Sequence, residues 1–523
     1  MPIELKSMPA YRYPWVPDRQ DGTFFNPVIY ADYSDLDVIR VDDNFYLAAS
    51  SINCAPGLPI LHSKDLVNWT IINHAVNHLP SARYAAVQHG CGIWAPAIRF
   101  HQGKFWIFFP TPDEGIYLTT ADDPAGRWSE PHLMHEGKGL IDPCPLWDDD
   151  GNAYLVHAYA GSRMGIKHIL RVRPMAATGA RLLGEGKMVF HDPKRHPTLE
   201  GPKFLKKDGW YYILAPAGGV QNGWQVVLRS RNIYGPYEDK IVLEQGNTPV
   251  NGPHQGALVD LPNGEWWFLH FQDAGAYGRI VHLQPVIWKD GWPFMGRDLD
   301  GNGVGEPVTH HRKPGIGHGA AIGIPQTGDE FDSPVLGQQW QWQANFSEEW
   351  FSLTARKNRL RLFAVPPPAN AKNLWPVPNL LLQKLPAEKF TVTTELDFSQ
   401  LAVGARAGLI IMGMDYAYLA VERTAANCRL LRTTCKEAKE AGTDIMEAET
   451  AVDGISTFLR VEVEAGAQCR FSFSRDGKGF SALGGTFIAR PGVWIGAKVG
   501  LFCLSAAPET SSGHADFAWF RFS

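Results

Sequence analysis

Five stretches of the chain alternate apolar and polar positions in one recurring way: an apolar strand, a tight turn, then an aromatic-rich strand. They are VIRVDDNFYLAAS from Val38, IRFHQGKFWIFF from Ile98, LWDDDGNAYLVHA from Leu146, FLKKDGWYYILAP from Phe204 and LVDLPNGEWWFLHF from Leu258. Gly, Asn and Asp tolerate the positive φ that two-residue hairpin turns need, so each stretch predicts a β-hairpin. The turn positions Asp43, Gly103, Gly151, Gly209 and Gly264 are 60, 48, 58 and 55 residues apart. Three residues further on stand Tyr46, Trp106, Tyr154, Tyr212 and Trp267. A second signature recurs between hairpins, SKDLVNW ending at Trp69, ADDPAGRW at Trp128 and SRNIYGPY at Tyr237, and reads as the bend into a further strand. One unit of four short strands repeated five times predicts a five-bladed β-propeller.

After about Glu306 the pattern stops, and PVTHHRKPGIGHGAAIGIPQTGDEF, rich in Gly, Pro and His, reads as a linker or wrap. From about Thr327 longer strands alternate with period two: KFTVTTELDF at 389–398, TFLRVEVEA at 457–465, RFSFSRDGKGFSAL at 470–483 and the closing ADFAWFRFS. One apolar face on each predicts a β-sandwich. The chain thus divides into a propeller domain, 1–318, that includes the N-terminal segment and linker, and a sandwich domain, 327–523.

Composition narrows the function. The 49 Lys and Arg against 54 Asp and Glu give a formal charge of −5, so no basic surplus favours nucleic acid or an anionic membrane, and a neutral or weakly polar partner is expected. Seven cysteines without metal-binding spacing argue against a disulfide scaffold or a zinc site. The start MPIELKSMPAYRYPWVPDRQ has no charged segment followed by an apolar run, and no stretch of about 18 apolar residues exists. The expected location is cytoplasmic for the chain as given, or periplasmic or secreted if a signal peptide was trimmed. Oligomeric state stays open.

Side chains just ahead of the innermost strands of a propeller converge on its axis. Acidic residues stand there in three blades: Asp32, Asp35 and Asp37 before blade one, Asp142 before blade three and Glu200 before blade four. Any one of them alone reads best as a turn cap. As a set around one polar cavity they suit glycoside hydrolysis, in which one acid protonates the leaving oxygen and another carboxylate acts at the anomeric centre. DLDGNGVGE, from Asp298 to Glu306, imitates half of a calcium loop, but Thr309 stands at the twelfth position, where an EF-hand has its bidentate Glu, so a surface turn is expected.

NPVIYADYSDLDVIRV, GLPILHSKDLVNW, GIWAPAIRF, IDPCPLW and LEGPKF resemble the ordered motif series of glycoside hydrolase family 43. AGGVQNGWQ, NGPHQGALVD and FQDAGAYGRIVHLQPVIWKDGWP tighten the resemblance to its exo-acting β-xylosidases and α-L-arabinofuranosidases, which carry a C-terminal sandwich. The resemblance implies Asp35 as general base, Asp142 as the acid that tunes and orients its neighbour, and Glu200 as general acid. It implies Trp94 and Arg279 in the sugar pocket, and His254 as an axial histidine near which a structural Ca²⁺ ion, held mostly by water, is expected. A sandwich loop closes the pocket in such enzymes, and in WIGAKVGLFC, Trp494–Cys503, it implies Trp494 as the wall residue, with Lys498 replacing a common aromatic. Two positions depart from the family pattern: Leu36 stands where Pro is usual, leaving Asp37 as a competing base, and Ile52 stands where an aromatic is usual.

The activity this implies is inverting exo-hydrolysis that releases terminal β-D-xylose or α-L-arabinofuranose from plant cell-wall oligosaccharides, with no cofactor required for the chemistry. The alternatives are a glycosidase of different sugar specificity and a catalytically impaired carbohydrate-binding propeller, the latter supported by Leu36 and Ile52 and opposed by the joint presence of the three acids. The retaining, fructose-specific family 32 shares the architecture, but its WMNDPNG motif is absent.

Overall fold

The computed structural model describes residues 14–317, 319–506 and 513–523. Residues 1–13 and 318 of the expected propeller domain lie outside the described residues.

Five four-stranded antiparallel sheets follow one another along the chain, each built from its own consecutive strands. Their inner strands are Asp37–Val41, Ala97–His101, Leu140–Trp147, Lys203–Lys207 and His254–Asp260. Their outer strands are Trp69–Val76, His132–Glu136, Lys187–Phe190, Glu238–Leu243 and Trp292–Met295. This is the five-bladed propeller that the repeat predicts. Trp69, Trp128 and Tyr237 stand at or just before the outer strands of their blades, as expected.

Among the described residues no strand is shared between blades, so apolar packing closes the ring. Side chains of blades one and two meet around Ile60 and Ile107, of two and three around Phe108 and Leu155, and of three and four around Val156 and Ile213. Blades four and five meet around Val227 and Phe268, and five and one around Leu269 and Leu47. The middle strands are therefore buried on both faces, as in Gly115–Ala121, where only Thr120 is partly exposed.

The segment after Glu306 is a wrap. His310–Arg312 pairs with Thr23–Phe25, Lys313 Nζ reaches Asp18 at 2.6 Å and Asp65 at 2.8 Å, and Gln326 exchanges hydrogen bonds with the backbone of Ile71 in the outer strand of blade one. Asp298–Glu306 is a surface turn, as expected: Asp298 accepts from the N–H groups of Gly301 and Gly303, and Asp300 from that of Asn302.

The C-terminal domain is a sandwich of a seven-stranded and an eight-stranded sheet. The four alternating stretches read from the sequence all fall in the eight-stranded sheet, where Phe390–Asp397, Ser456–Glu464, Gln468–Ser474 and His514–Phe522 lie. The other sheet escaped that reading because both faces of its central strands are covered. Leu409 and Leu501 face the inter-sheet core, while Ile410 and Phe502 face Leu374, Val377 and Leu380.

The two domains share that core. Ala276, Tyr277 and Ile280 of blade five pack into the cluster between the sheets. The Tyr277 hydroxyl donates to the Glu388 carbonyl at 2.8 Å and accepts from the N–H of Ala467 at 2.9 Å. Ala55 and Trp342 exchange backbone hydrogen bonds of 3.1 and 2.6 Å. Among the described residues no helix is long and apolar enough to cross a membrane.

Candidate active site

At one mouth of the propeller every blade contributes to a single cavity of about 470 Å³, with Asp35, Trp94, Asp142, Glu200 and Gln255 each coming from a different blade. Asp35, Trp94 and Glu200 stand in the turns before their inner strands, while Asp142 and Gln255 lie near the start of theirs. The latter two are bulged residues, at which the ladder skips between Ile141 and Cys144 and between His254 and Gly256. A bulge re-aims a side chain that regular pleating would direct elsewhere.

The backbone around the cavity is strained. Asp35, Ile52, Asp142, Thr198, Gln255 and Trp494 all line it, and all have positive φ, between 41° and 62°. For β-branched Ile52 and Thr198 and bulky Trp494 this is a steric outlier. Such residues cost about 1–3 kcal/mol each and cluster where the surroundings hold a functional geometry. Gly201, next to Glu200, is required as well: its φ is 58°, and a Cβ there would lie 2.8 Å from the Gln255 side chain.

Asp35 is 7% exposed, and both of its oxygens are engaged. Oδ1 accepts from the Arg279 guanidinium at 2.6 Å and Oδ2 from the Ser50 hydroxyl at 2.8 Å. Asp142 Oδ2 accepts from the N–H of Gly201 at 2.7 Å. Burial first, then Glu200 and Asp35, push the Asp142 carboxyl up to about 8. The Asp142–Glu200 pair therefore retains a proton near neutral pH. The Glu200 side chain is 27% exposed, and its Oε1 lies 3.4 Å from His254 Nε2.

Asp37 does not line this cavity. Its Oδ2 pairs with Arg99 at 2.6 Å and accepts from the N–H of Ile98 at 3.0 Å, and it lines a separate cavity of about 290 Å³ with Lys203 and Asp260. The positive φ of Asp35 turns two carboxylates that would share a strand face in opposite directions.

The sandwich completes the wall. Trp494 lines the cavity, with its indole 6.3 Å from that of Trp94 at 61° and 6.0 Å from the Arg279 guanidinium carbon. Its loop is anchored by Gly496 N–H to Asp32 at 2.8 Å and Ala497 N–H to the Ala276 carbonyl at 2.7 Å. Lys498 is not in the wall: it is 4% exposed, lies opposite Lys384 in the sheet and borders a small cavity with Asn53 and Cys54. Ile52 does line the cavity.

His254 Nε2 faces Glu200, and no group of three His, Cys, Asp or Glu among the described residues is placed to hold a metal, so a calcium ion near this histidine would be held by water, as the resemblance implies, and not by a side-chain cage.

Gln255 escaped the sequence reading, although the rule that found the acids, inspection of residues at each inner strand's start, points to it. It is 3% exposed, and its Nε2 has no partner among the described residues; the Trp94 indole N–H is likewise buried and unpaired. Two orphaned donors in a cavity that holds three carboxylates suit a ligand rich in hydroxyl oxygens.

Residues 24–293 match the family model "Glycosyl hydrolases family 43", and residues 328–523 match "Beta xylosidase C-terminal Concanavalin A-like domain". The chain is 40% identical over 496 residues to a putative beta-xylosidase of Xylanibacter ruminicola, covering 93% of this chain and 87% of that one. A non-reducing end alpha-L-arabinofuranosidase of Bacteroides ovatus is 29% identical over 532 residues, covering 96% of this chain and 94% of that protein. The crystal structure of a family 43 protein from Bacillus licheniformis superposes with a TM-score of 0.81 at 25% identity, covering 96% of this chain and 99% of that one. A propeller whose blades bring three carboxylates to one sandwich-walled cavity thus belongs, with its C-terminal domain, to glycosyl hydrolase family 43, and the protein is a glycoside hydrolase.

Proposed function

We propose that the protein is an inverting exo-glycosidase that removes a terminal pentose, β-D-xylose or α-L-arabinofuranose, from plant cell-wall oligosaccharides. The observation that carries this reading is the convergence of Asp35, Asp142 and Glu200, from three different blades, on a cavity walled by Trp94 and Trp494. Glu200, the most exposed of the three acids, protonates the leaving oxygen. Asp35 activates the attacking water, and its bonds to Arg279 and Ser50 leave lone pairs free while fixing the carboxylate plane. Asp142 keeps a proton within the Asp142–Glu200 pair near neutrality and, through Gly201 N–H, holds the backbone beside Glu200. Gln255 and Trp94 donate to sugar hydroxyls. The names of the Xylanibacter and Bacteroides relatives favour the two pentoses.

Hydrolysis of aryl β-D-xyloside and aryl α-L-arabinofuranoside, followed by NMR of the first-formed anomer, tests the reading. Cleavage with inverted configuration is expected. Retained configuration would overturn the assignment of Asp35 as base, and inertness toward both substrates would overturn the pentosidase reading.

A further inference from the structure

Two lysines stand side by side on the sandwich face that borders the propeller. Lys384 and Lys498 are directly opposed in neighbouring strands, Leu381–Lys384 and Lys498–Leu504, so their side chains leave the same face of the sheet. Lys498 is 4% exposed, and its Nζ is buried without a hydrogen-bond partner among the described residues. It borders a cavity of about 20 Å³ that lies behind the loop carrying Trp494. We infer that this cavity binds one small monovalent anion, a halide such as chloride, held between the two domains.

Charge balance is the leading argument. An ammonium taken out of water is costly unless it meets a counter-charge. No Asp or Glu lines the cavity, and His89, which does, is lowered to about 4 by burial and is neutral at pH 7. Lys384 has no ion-pair partner among the described residues either; its Nζ lies 5.0 Å from the centroid of the Tyr33 ring. Burial first, then Lys498, lower the Lys384 ammonium to about 8, so it stays mostly protonated at pH 7 and the two cations repel. Asp32 is the carboxylate that acts on Lys384, and its oxygens already accept from the N–H groups of Gly496 and Arg279. Two ammonium groups against one shared carboxylate leave a positive charge without an answer.

The size of the cavity selects the anion. Roughly 10–15 Å³ holds one water-sized sphere. The cavity of about 20 Å³ therefore admits a monatomic ion and excludes phosphate, sulfate and carboxylate ligands. A water molecule there satisfies one N–H of Lys498 and leaves its charge uncompensated. Leu382, Met412 and Trp375 give the cavity apolar walls, which strengthen the attraction between ammonium and anion. Gly492, Ile495 and Gly496, flanking Trp494, form one side, and Asn53 and Cys54, next to Ile52 of the first cavity, form another. An anion between them fastens the loop of Trp494 to the propeller by charge, in addition to the hydrogen bond from Gly496 to Asp32.

Thermal unfolding in sodium chloride, sodium bromide and sodium gluconate at matched ionic strength provides the test, with Lys498→Met as the variant. Gluconate is too large to enter the cavity and reports screening alone. Both halides are expected to raise the wild-type Tm about 2 °C or more above its value in gluconate, as a ligand of the folded state does. Lys498→Met is expected to abolish that difference, and crystals grown in bromide are expected to show an anomalous peak beside Lys498 Nζ. Equal Tm in the three salts, a halide effect that survives in Lys498→Met, or a water at that position in the bromide crystals would overturn the inference. If Lys498→Met does not fold, the wild-type comparison and the bromide crystals decide. None of these measurements uses activity, so the anion site stands or falls separately from the pentosidase reading.

Discussion

Asp32 and Gly496 tie the two domains together at the pocket: Asp32 Oδ2 accepts from the N–H of Gly496 at 2.8 Å, while Oδ1 of the same carboxylate accepts from the N–H of Arg279 at 2.8 Å. One buried side chain thereby sets the height of Trp494, two residues from Gly496, relative to the Arg279 that grips Asp35. Space is tight as well, since a Cβ on Gly278 would lie 2.4 Å from the Asp32 carboxyl carbon. Asp32→Asn can satisfy only one of the two donors and turns an amide toward the other. It is expected to lower kcat/KM on aryl pentosides about tenfold or more through misplacement of the wall, with circular dichroism unchanged. Unaltered kinetics would mean that the bridge does not position the site.

Asp35→Asn should be inactive on every substrate, because the attacking water loses its base whatever leaves. Asp37→Asn should retain kcat but lose stability: it leaves Arg99 without its buried partner, a change that typically costs about 3–5 kcal/mol, reduced here because the Arg99 side chain keeps 19% exposure. Thermal unfolding and aryl-glycoside kinetics on the two variants separate these outcomes, and an inactive but stable Asp37→Asn would move the base assignment.

Glu200→Gln should abolish cleavage of natural linkages while sparing substrates with a good leaving group. Such substrates need little protonation of the departing oxygen, and acid catalysis contributes about 10²- to 10⁴-fold. Comparison of xylobiose with dinitrophenyl xyloside measures the difference. Equal losses on both would take Glu200 out of the acid role.

Asp142→Asn is expected to stabilise the fold and impair activity. In the folded protein Asp142 keeps its proton up to about pH 8, whereas the unfolded chain releases it near its ordinary value of 3.8. Between those values the unfolded state binds fewer protons, so the contribution of Asp142 to stability falls as pH rises through that window. The Asn variant removes this dependence. Its gain in Tm over the wild type should be small at pH 4 and grow toward pH 8, and a gain independent of pH would contradict the proton assignment.

The propeller was legible because its hairpins repeat with the turn residues Gly103, Gly151, Gly209 and Gly264, and local turn chemistry does not depend on the rest of the fold. Asp35, Asp142 and Glu200 were legible through the same repeat, which places acids at the mouths of blades. Gln255 obeys that rule but is neither acidic nor aromatic, and it passed unnoticed. The choice between Asp35 and Asp37 depended on a left-handed backbone that no neighbouring Gly announces. Trp494 could be reached only through resemblance, because its partners Trp94 and Arg279 are hundreds of residues away. Half of the sandwich was invisible to period-two reading: Lys498–Leu504 is buried at every position, so alternation is erased.

The strand His514–Phe522 is not at an edge of its sheet; it lies between Leu360–Phe363 and Phe390–Asp397. Its place bears on the order in which a ribosome delivers the enzyme. All five blades, with Asp35, Asp142, Glu200 and Arg279, have emerged once Met295 is made, yet the wall residue Trp494 arrives about two hundred residues later. The eight-stranded sheet of the sandwich cannot close until a strand later still has slotted into its interior. A nascent propeller therefore carries its acids on an open mouth, and the pocket comes into being only with the end of the sandwich.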